Sequence, residues 1–234
     1  MSELAISEPL LAFTAVGSDL SLESIDLVVR PGECCVVESS PDVADMMADL
    51  AQGLEAPDTG TVMALGKNWQ ELAPDKAYRV RSRMGRVFRS PAWIHNLNVD
   101  ENVMLPQLDL STRPEADIRQ EVEGLARRLG LDGLPRTRPH ATDPAELSAS
   151  ACVRAFAGAP DLVLIETRSC VLPTQAHSGL ISLVHDTCAR GGAVVWFSDS
   201  HGAHSVLPLG PRVRMSRGSL VVSRATSGSD TDKA

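Results

Sequence analysis

The chain has 234 residues, enough for one large domain or two small ones, and its 43% hydrophobic and 22% charged content is ordinary for a soluble globular protein. Its net charge of −8 argues against nucleic acid as a partner, because phosphate contacts require clustered lysine and arginine. No apolar run is long enough to span a bilayer, and the N-terminus lacks the pattern of a signal peptide.

The first part of the chain is predicted to be β-structure that leads into a helix. Apolar and polar residues roughly alternate over 20–29, which is typical of a half-buried strand. A turn follows at 30–33, and the apolar run 34–37 suits a strand that is buried on both faces of a parallel sheet. Serine, proline and aspartate at 40–42 are typical of a capped helix start. Apolar residues then recur at helical spacing over 43–54.

Helical patterns continue in the middle and later parts of the chain. Apolar residues at helical spacing predict a helix over 118–129, and Gly130 is a plausible end for it. A second helix is predicted around 180–184, and Gly191 closes it. Both helices precede a short apolar run, so helix and strand alternate along this part of the chain.

These apolar runs, 162–165 and 193–197, predict two more buried strands. Buried strands that alternate with amphipathic helices are typical of an α/β protein with a parallel core. A small hairpin is predicted around Arg217 and Gly218, and the small polar residues of 224–234 predict a flexible tail.

The cysteines and histidines give no sign of a metal site. The five cysteines are scattered without a C-x-x-C pair, and the six histidines show no ligand spacing. We therefore expect reduced thiols, no bound metal and a cytoplasmic location.

The order of these segments resembles the nucleotide-binding domain of ATP-binding-cassette (ABC) transporters from about Leu20 to Val222. The matching stretches are a turn before the phosphate loop at 30–33, an "aGL…P…G" segment at Gly53, Pro57 and Gly60, a "GxVFQ…NLTVxENV" stretch at 85–103, and a "PxLLLLDEP" strand at 159–166. The chain is most similar in form to cassettes of lipid and lipoprotein export systems.

The resemblance implies a fold and a domain organisation. The fold is α/β: a P-loop NTPase-like parallel sheet core with an antiparallel β subdomain and a helical subdomain. It implies a single domain over 1–223, in which the helical subdomain covers about 90–158.

The phosphate loop of the family reads G-x-x-x-x-G-K-[ST], with glycines that turn N–H groups onto phosphates and a lysine that neutralises them. Residues 38–47 contain no glycine and no lysine. The lysine position is Asp45 when the alignment starts from Gly32, and Ala44 when it starts from Gly53. A carboxylate there would repel a phosphate by about 4 kcal/mol at about 4 Å and an effective dielectric constant near 20. We also expect Ser40 to cap the following helix with its side chain.

The other motifs also lack residues that the family uses to bind or hydrolyse ATP. Arg89 replaces the glutamine that senses Mg²⁺, and Ser148 begins a signature segment that lacks the "GGQ" continuation. Glu166 retains the Mg²⁺-linked acid, but Thr167 replaces the catalytic glutamate and Asp199 replaces the histidine that meets the γ-phosphate. The vestigial nucleotide-binding positions are therefore Ser39, Ser40, Ala44, Asp45, Met46, Arg89, Ser148, Glu166, Thr167 and Asp199.

The region that receives the membrane subunit in the family keeps its pattern better. An apolar groove with an aromatic anchor is predicted here, although ordinary core packing would explain the same pattern. The groove residues are Trp93, Ile94, Leu97, Val99, Val103 and Leu105.

The resulting hypothesis is a non-catalytic cassette subunit that binds no cofactor. It would dock on an integral membrane permease at the inner face of the cytoplasmic membrane, with a cassette as its hetero- or homodimer partner. Two alternatives stay open: a soluble regulatory or scaffolding protein on the same fold, and a weak binder of ATP and Mg²⁺ that uses Glu166.

Overall fold

The structure, a computed structural model, describes residues 8–18, 22–90, 92–166, 172, 174–198, 207, 210–216 and 219–223. The strands in these residues are β1 Leu11–Ser18, β2 Leu22–Val29, β3 Cys34–Glu38, β4 Thr59–Ala64, β5 Lys67–Asn68, β6 Met84–Val87, β7 Leu162–Ile165, β8 Ala193–Ser198, β9 Arg212–Ser216 and β10 Ser219–Ser223. The α-helices are α1 Pro41–Ala51, α2 Pro74–Arg81, α3 Val99–Leu110, α4 Glu115–Arg128, α5 Pro144–Phe156 and α6 Thr174–Ala189. Short 3-10 helices cover Trp69–Glu71 and Pro139–Ala141.

The strands form one sheet in the order β5-β4-β1-β2-β10-β9-β3-β8-β7-β6. Strands β3, β8, β7 and β6 pair in parallel, and β9 adds to β3 in parallel as well. Strand β1 pairs antiparallel with both β2 and β4, and β2 joins the rest of the sheet where Ser24 meets Ser219 of β10. This is the predicted combination of a parallel core with an antiparallel β-region.

Both faces of the parallel core are covered, which explains the continuous apolar runs in the sequence. Cys34 and Val36 of β3 pack in the cluster that contains α3 to α6, whereas Cys35 and Val37 pack in the cluster that contains α1 and the antiparallel strands. A strand that is buried on both sides has no polar face, so its residues do not alternate in polarity. The predicted buried strands at 34–37, 162–165 and 193–197 are confirmed.

The predicted helices are confirmed, with one corrected boundary. Helix α1 ends at Ala51, and Gly53 adopts a φ of 61°, so Leu54 lies beyond the helix and is 55% exposed. Gly130 and Gly191 have positive φ angles immediately after α4 and α6, a conformation that glycine adopts without steric cost.

The predicted C-terminal hairpin is present as the antiparallel pair β9 and β10. Its turn, at Arg217 and Gly218, and the predicted tail at 224–234 lie outside the described residues. Within the described part of the chain, every helix is too short or too polar to cross a bilayer.

Candidate functional site

The connection between β3 and α1 is the segment that the resemblance matches to the phosphate loop of the family. Strand β3 ends at Glu38 and α1 begins at Pro41, which leaves only Ser39 and Ser40 between them. The Ser39 N–H donates to the Ser198 carbonyl at 3.0 Å, and Pro41 has no N–H. Neither Ser39 nor Pro41 therefore has a backbone N–H that is free to donate to a phosphate.

Ser40 occupies the N-cap position of α1, but its side chain makes no capping hydrogen bond. The prediction that Ser40 caps α1 through its side chain is therefore wrong. The backbone of Ser40 is extended, and its carbonyl instead accepts the first helical hydrogen bond, from the Ala44 N–H at 3.1 Å. The position of the serine, followed by proline, predicts where the helix starts, but it does not predict the direction of the hydroxyl.

Asp45 and Asp49 of α1 and Gln52, the residue that ends the helix, are four and then three residues apart, so their polar side chains lie on one face. Ala44 and Met46, on either side of Asp45, are each 5% exposed and pack in the core. The two candidates for the lysine position thus differ in their surroundings: Asp45 lies on the polar face of the helix, and Ala44 packs in the core.

Arg86 on β6 is the centre of a buried ion-pair network. Its Nε donates to Glu166 Oε1, and its Nη1 donates to Asp49 Oδ1 at 2.5 Å and to Gln52 Oε1 at 3.1 Å. The side chains of Arg86 and Glu166 are only 5% and 2% exposed. The guanidinium also lies 4.4 Å from the centre of the Phe88 ring. Glu166, the residue that the resemblance links to Mg²⁺, is therefore engaged by an arginine of the same chain.

The sheet register brings Arg86 and Glu166 together. Strands β6 and β7 are parallel neighbours in which Arg86 pairs with Leu164 and Val87 pairs with Ile165. The Glu166 N–H then donates to the Val87 carbonyl at 2.9 Å, which extends the ladder by one bond. The acid at the end of β7 consequently lies beside the arginine of β6.

A second arginine, Arg89, connects the segment after β6 to the first turns of α1. Its Nη2 lies 3.0 Å from Asp45 Oδ1 and also donates to the Pro41 carbonyl. The Asp45 side chain is 49% exposed, so solvent screens the attraction between Arg89 and Asp45 more than it screens the buried pair of Arg86 and Glu166. Arg89 therefore pairs with Asp45, one of the two residues that the resemblance places at the lysine position.

The pKa of Glu166 is raised to about 7, and the largest cause is its burial, which disfavours the ionised form. Arg86 acts in the opposite direction, and the nearby Asp45 carboxylate adds to the increase. Glu166 therefore titrates near neutral pH while it stays in contact with Arg86.

The structure brings together three of the predicted site residues: Asp45, Arg89 and Glu166. Ser148 lies elsewhere, within α5, where its Oγ donates to the Pro144 carbonyl at 2.8 Å. The Ser39 Oγ is buried and has no hydrogen-bond partner among the described residues. The predictions for Thr167 and Asp199 fall outside the described residues.

Sequence reasoning missed Arg86, Asp49 and Gln52. Two signals point to them. An arginine within the strand Met84–Val87, which is buried throughout, requires a polar partner. The acids Asp45 and Asp49 and the amide of Gln52 form a polar stripe on a helix whose other faces are apolar.

The predicted partner groove needs correction. Val99 and Val103 are 0% exposed and belong to the core, so they cannot contact a partner. Ile94 and Leu105 are 44% and 39% exposed, and Leu108, which was not predicted, is 41% exposed. Trp93 and Leu97 are half-buried, and Trp93 packs against the core. The exposed apolar residues Ile94, Leu105 and Leu108 are called the apolar patch below.

Comparisons with known proteins agree with this architecture. No family model matches the chain. It is 22% identical over 209 residues to the methionine import ATP-binding protein MetN of Geobacillus kaustophilus, covering 89% of this chain and 60% of that protein. It is 27% identical over 225 residues to the phosphonates import ATP-binding protein PhnC of Alcaligenes faecalis, covering 91% of this chain and 80% of that protein. The predicted similarity to export cassettes stays a prediction.

Solved structures share the fold. An ATP-binding subunit of an ABC transporter superposes with a TM-score of 0.79 at 18% identity, over 92% of this chain and 90% of that one. A dimeric ATP-binding cassette bound to ADP and phosphate gives 0.79 at 17% identity, over 93% of this chain and 100% of that one. The chain is thus a homologue of the ATP-binding subunits of ABC transporters and has the fold of their cassettes.

Proposed function

We propose that this chain is a non-catalytic cassette subunit of a membrane ABC transporter. It docks on a permease at the inner face of the cytoplasmic membrane, beside an active cassette. The observation that supports this proposal most directly is the ion-pair network of Arg86, in which Glu166 and Asp49 are held by an internal cation.

The residues around α1 do not suit ATP and Mg²⁺. A phosphate site needs free backbone N–H groups and a cation, and Mg²⁺ needs free oxygen ligands. The β3–α1 connection offers neither glycine nor lysine, and the Ser39 N–H is used by Ser198. Glu166 would have to exchange a buried arginine for a hydrated metal ion. Desolvated pairs of this kind are costly to break.

The first test is a titration of the purified chain with a fluorescent ATP analogue in the presence of Mg²⁺. We expect no saturation at micromolar ligand, because the carboxylates and arginines neutralise each other and leave no cation for the phosphates. An intact ABC cassette in the same assay provides the positive control. Saturable micromolar binding that unlabelled ATP competes away would contradict the proposal and favour the weak-binder alternative.

The second test concerns the apolar patch. This patch lies beside a segment that Asn102 holds in place, because its Oδ1 accepts from the Ile94 N–H at 2.8 Å and its Nδ2 donates to the Asn98 carbonyl at 2.9 Å. Exposed apolar residues on such a fixed segment are suited to contact a partner.

We expect Leu105→Glu to reduce the amount of an ABC permease that co-purifies from detergent-solubilised membranes by about ten-fold, since a buried charge at a contact costs more than 1.4 kcal/mol. Met63→Glu is the matched control, because Met63 is 40% exposed on β4, away from the patch. Equal losses of co-purified permease in both variants would show that the apolar patch is not the contact with the permease. If no permease co-purifies with the unmodified chain, the soluble scaffold alternative is favoured.

A further inference from the structure

A pocket of about 240 Å³ lies where the end of α1 meets strand β4 and the short 3-10 helix Trp69–Glu71. Leu50 and Val62, each 2% exposed, are the most buried residues of its lining. The ring of Trp69 lines the pocket as well, and so does Leu54, which is 55% exposed. A buried apolar lining that continues into an exposed leucine is suited to contact the hydrocarbon part of a ligand.

The Trp69 ring is fixed in place by three contacts. Its Nε1 donates to the Ala51 carbonyl at 3.1 Å, and the Arg81 guanidinium lies 5.3 Å from the centre of the ring. Gly53 packs so closely on the ring that a Cβ at this position would lie 2.4 Å from it. The aromatic wall cannot turn away without breaking these contacts, so the pocket is pre-formed.

Glu55 is the only charged residue in the lining of this pocket among the described residues. It is exposed, and it forms no hydrogen bond or ion pair with any residue that the structure describes. Arg81 contacts the Trp69 ring but does not line the pocket. Its Nε and Nη2 donate to the carbonyls of Gln52 and Gly53, at 2.8 and 2.7 Å. A ligand in the pocket therefore meets an uncompensated carboxylate beside apolar walls.

We propose that this pocket binds a small organic ammonium compound. Glu55 pairs with the ammonium group, and the hydrocarbon part contacts Leu50, Val62 and Trp69. The hydrocarbon leaves water while the charge stays at the exposed rim, so the ammonium group keeps most of its hydration. This inference uses residues outside the predicted nucleotide positions and outside the apolar patch, and it does not depend on the proposed transporter role.

The test is a titration followed by NMR of the indole N–H signals. The probe is cyclohexylmethylammonium, and cyclohexanemethanol and cyclohexanecarboxylate are comparison ligands with the same ring. We expect a saturable shift of the Trp69 signal, which Trp69→Phe identifies, and unchanged signals for Trp93 and Trp196, which do not line the pocket. The alcohol should bind about five-fold more weakly, and the carboxylate, which Glu55 repels, more weakly still.

Variants at exposed positions separate the charge contact from the apolar contact. Glu55→Gln should lower the affinity for the ammonium probe about five-fold and leave the affinity for the alcohol unchanged. Leu54→Ser should weaken the binding of both ligands by a similar factor, because both lose the same apolar contact. Glu146→Gln, which removes an exposed acid on α5, is the matched control and should change neither affinity.

Ionic strength gives a second measure of the charge contact. Raising the NaCl concentration from about 0.05 M to about 0.5 M should weaken the binding of the ammonium probe but not that of the alcohol.

A linear probe, n-pentylammonium, determines where the ammonium group comes from, because it has the shape of a lysine side chain. Tighter binding of the ring compound indicates a small-molecule site, whereas tighter binding of the linear compound indicates a lysine of a partner; either result supports an ammonium site. The absence of saturation with both probes up to about 20 mM, equal affinity for the alcohol, or full affinity for the ammonium probe in Glu55→Gln would overturn the inference.

Discussion

Arg86→Met is expected to lower the free energy of unfolding by about 3–5 kcal/mol at pH 8. The substitution keeps an unbranched side chain of similar length but removes the only cation paired with Glu166 in the described residues. The carboxylate would then be buried without compensation, because its side chain is 2% exposed. Equilibrium urea unfolding, followed by circular dichroism, measures the change.

The matched control is Arg83→Met, in the residue that pairs with Asp161 at the surface. The side chains of this pair are 57% and 44% exposed, so the same substitution should cost less than about 1 kcal/mol. Adding Glu166→Leu to Arg86→Met should restore part of the lost stability, since apolar replacements of buried pairs are often close to neutral. Equal losses at Arg86 and Arg83 would show that the network is not a significant source of stability.

The stability of the chain is expected to fall as the pH rises from about 5 to about 8, with a contribution from Glu166 of about 3 kcal/mol. An exposed glutamate has a pKa of about 4.3, whereas the pKa of Glu166 in the folded chain is about 7. Between these values the folded state binds more protons than the unfolded state. The stabilisation is therefore complete below the unfolded pKa and is lost as the pH passes through the folded pKa.

Glu166→Gln isolates this effect. The amide cannot ionise, so the variant should lose the part of the pH dependence that Glu166 contributes. All other titratable groups are the same in both proteins, so their effect cancels in the difference. Unfolding free energies measured at several pH values between about 5 and 8 give the two curves. Parallel curves would contradict the raised pKa of Glu166.

The two experiments are linked. Below the folded pKa, Glu166 is neutral and the cost of removing Arg86 decreases, because only Asp49 remains as a charged partner. The loss in Arg86→Met should therefore be smaller at pH about 5.5 than at pH about 8. Such a dependence would indicate that the pair of Arg86 and Glu166 acts as one unit.

These results bear on the proposed function. The network joins helix α1, strand β6 and the end of strand β7. We infer that internal ion pairs hold these elements together here, so that the subunit keeps its shape without a bound nucleotide. The unfolding experiments test this inference, and the ATP titration tests the proposed lack of nucleotide binding.

The amino-acid sequence predicted the buried strands of the parallel core and helices α1, α4 and α6, and its resemblance to ABC cassettes implied the rest of the fold. Runs such as Leu162–Ile165 are apolar throughout because the strand is covered on both faces. Four consecutive apolar residues are therefore enough to predict a buried strand. Gly130 marks a helix end because its backbone adopts a positive φ. These features depend on neighbours that are close in the chain, so local patterns predict them.

The tertiary structure decided the partners of individual side chains. Arg86 and Glu166 are 80 residues apart, and only the register of β6 and β7 places them in contact. The packing of α3 on α5 decided that Val103 faces the core and Leu105 faces solvent. Local patterns show which segments are apolar and which are charged. The partner of a given side chain depends instead on how elements that are remote in sequence pack against each other, and only the tertiary structure gives that packing.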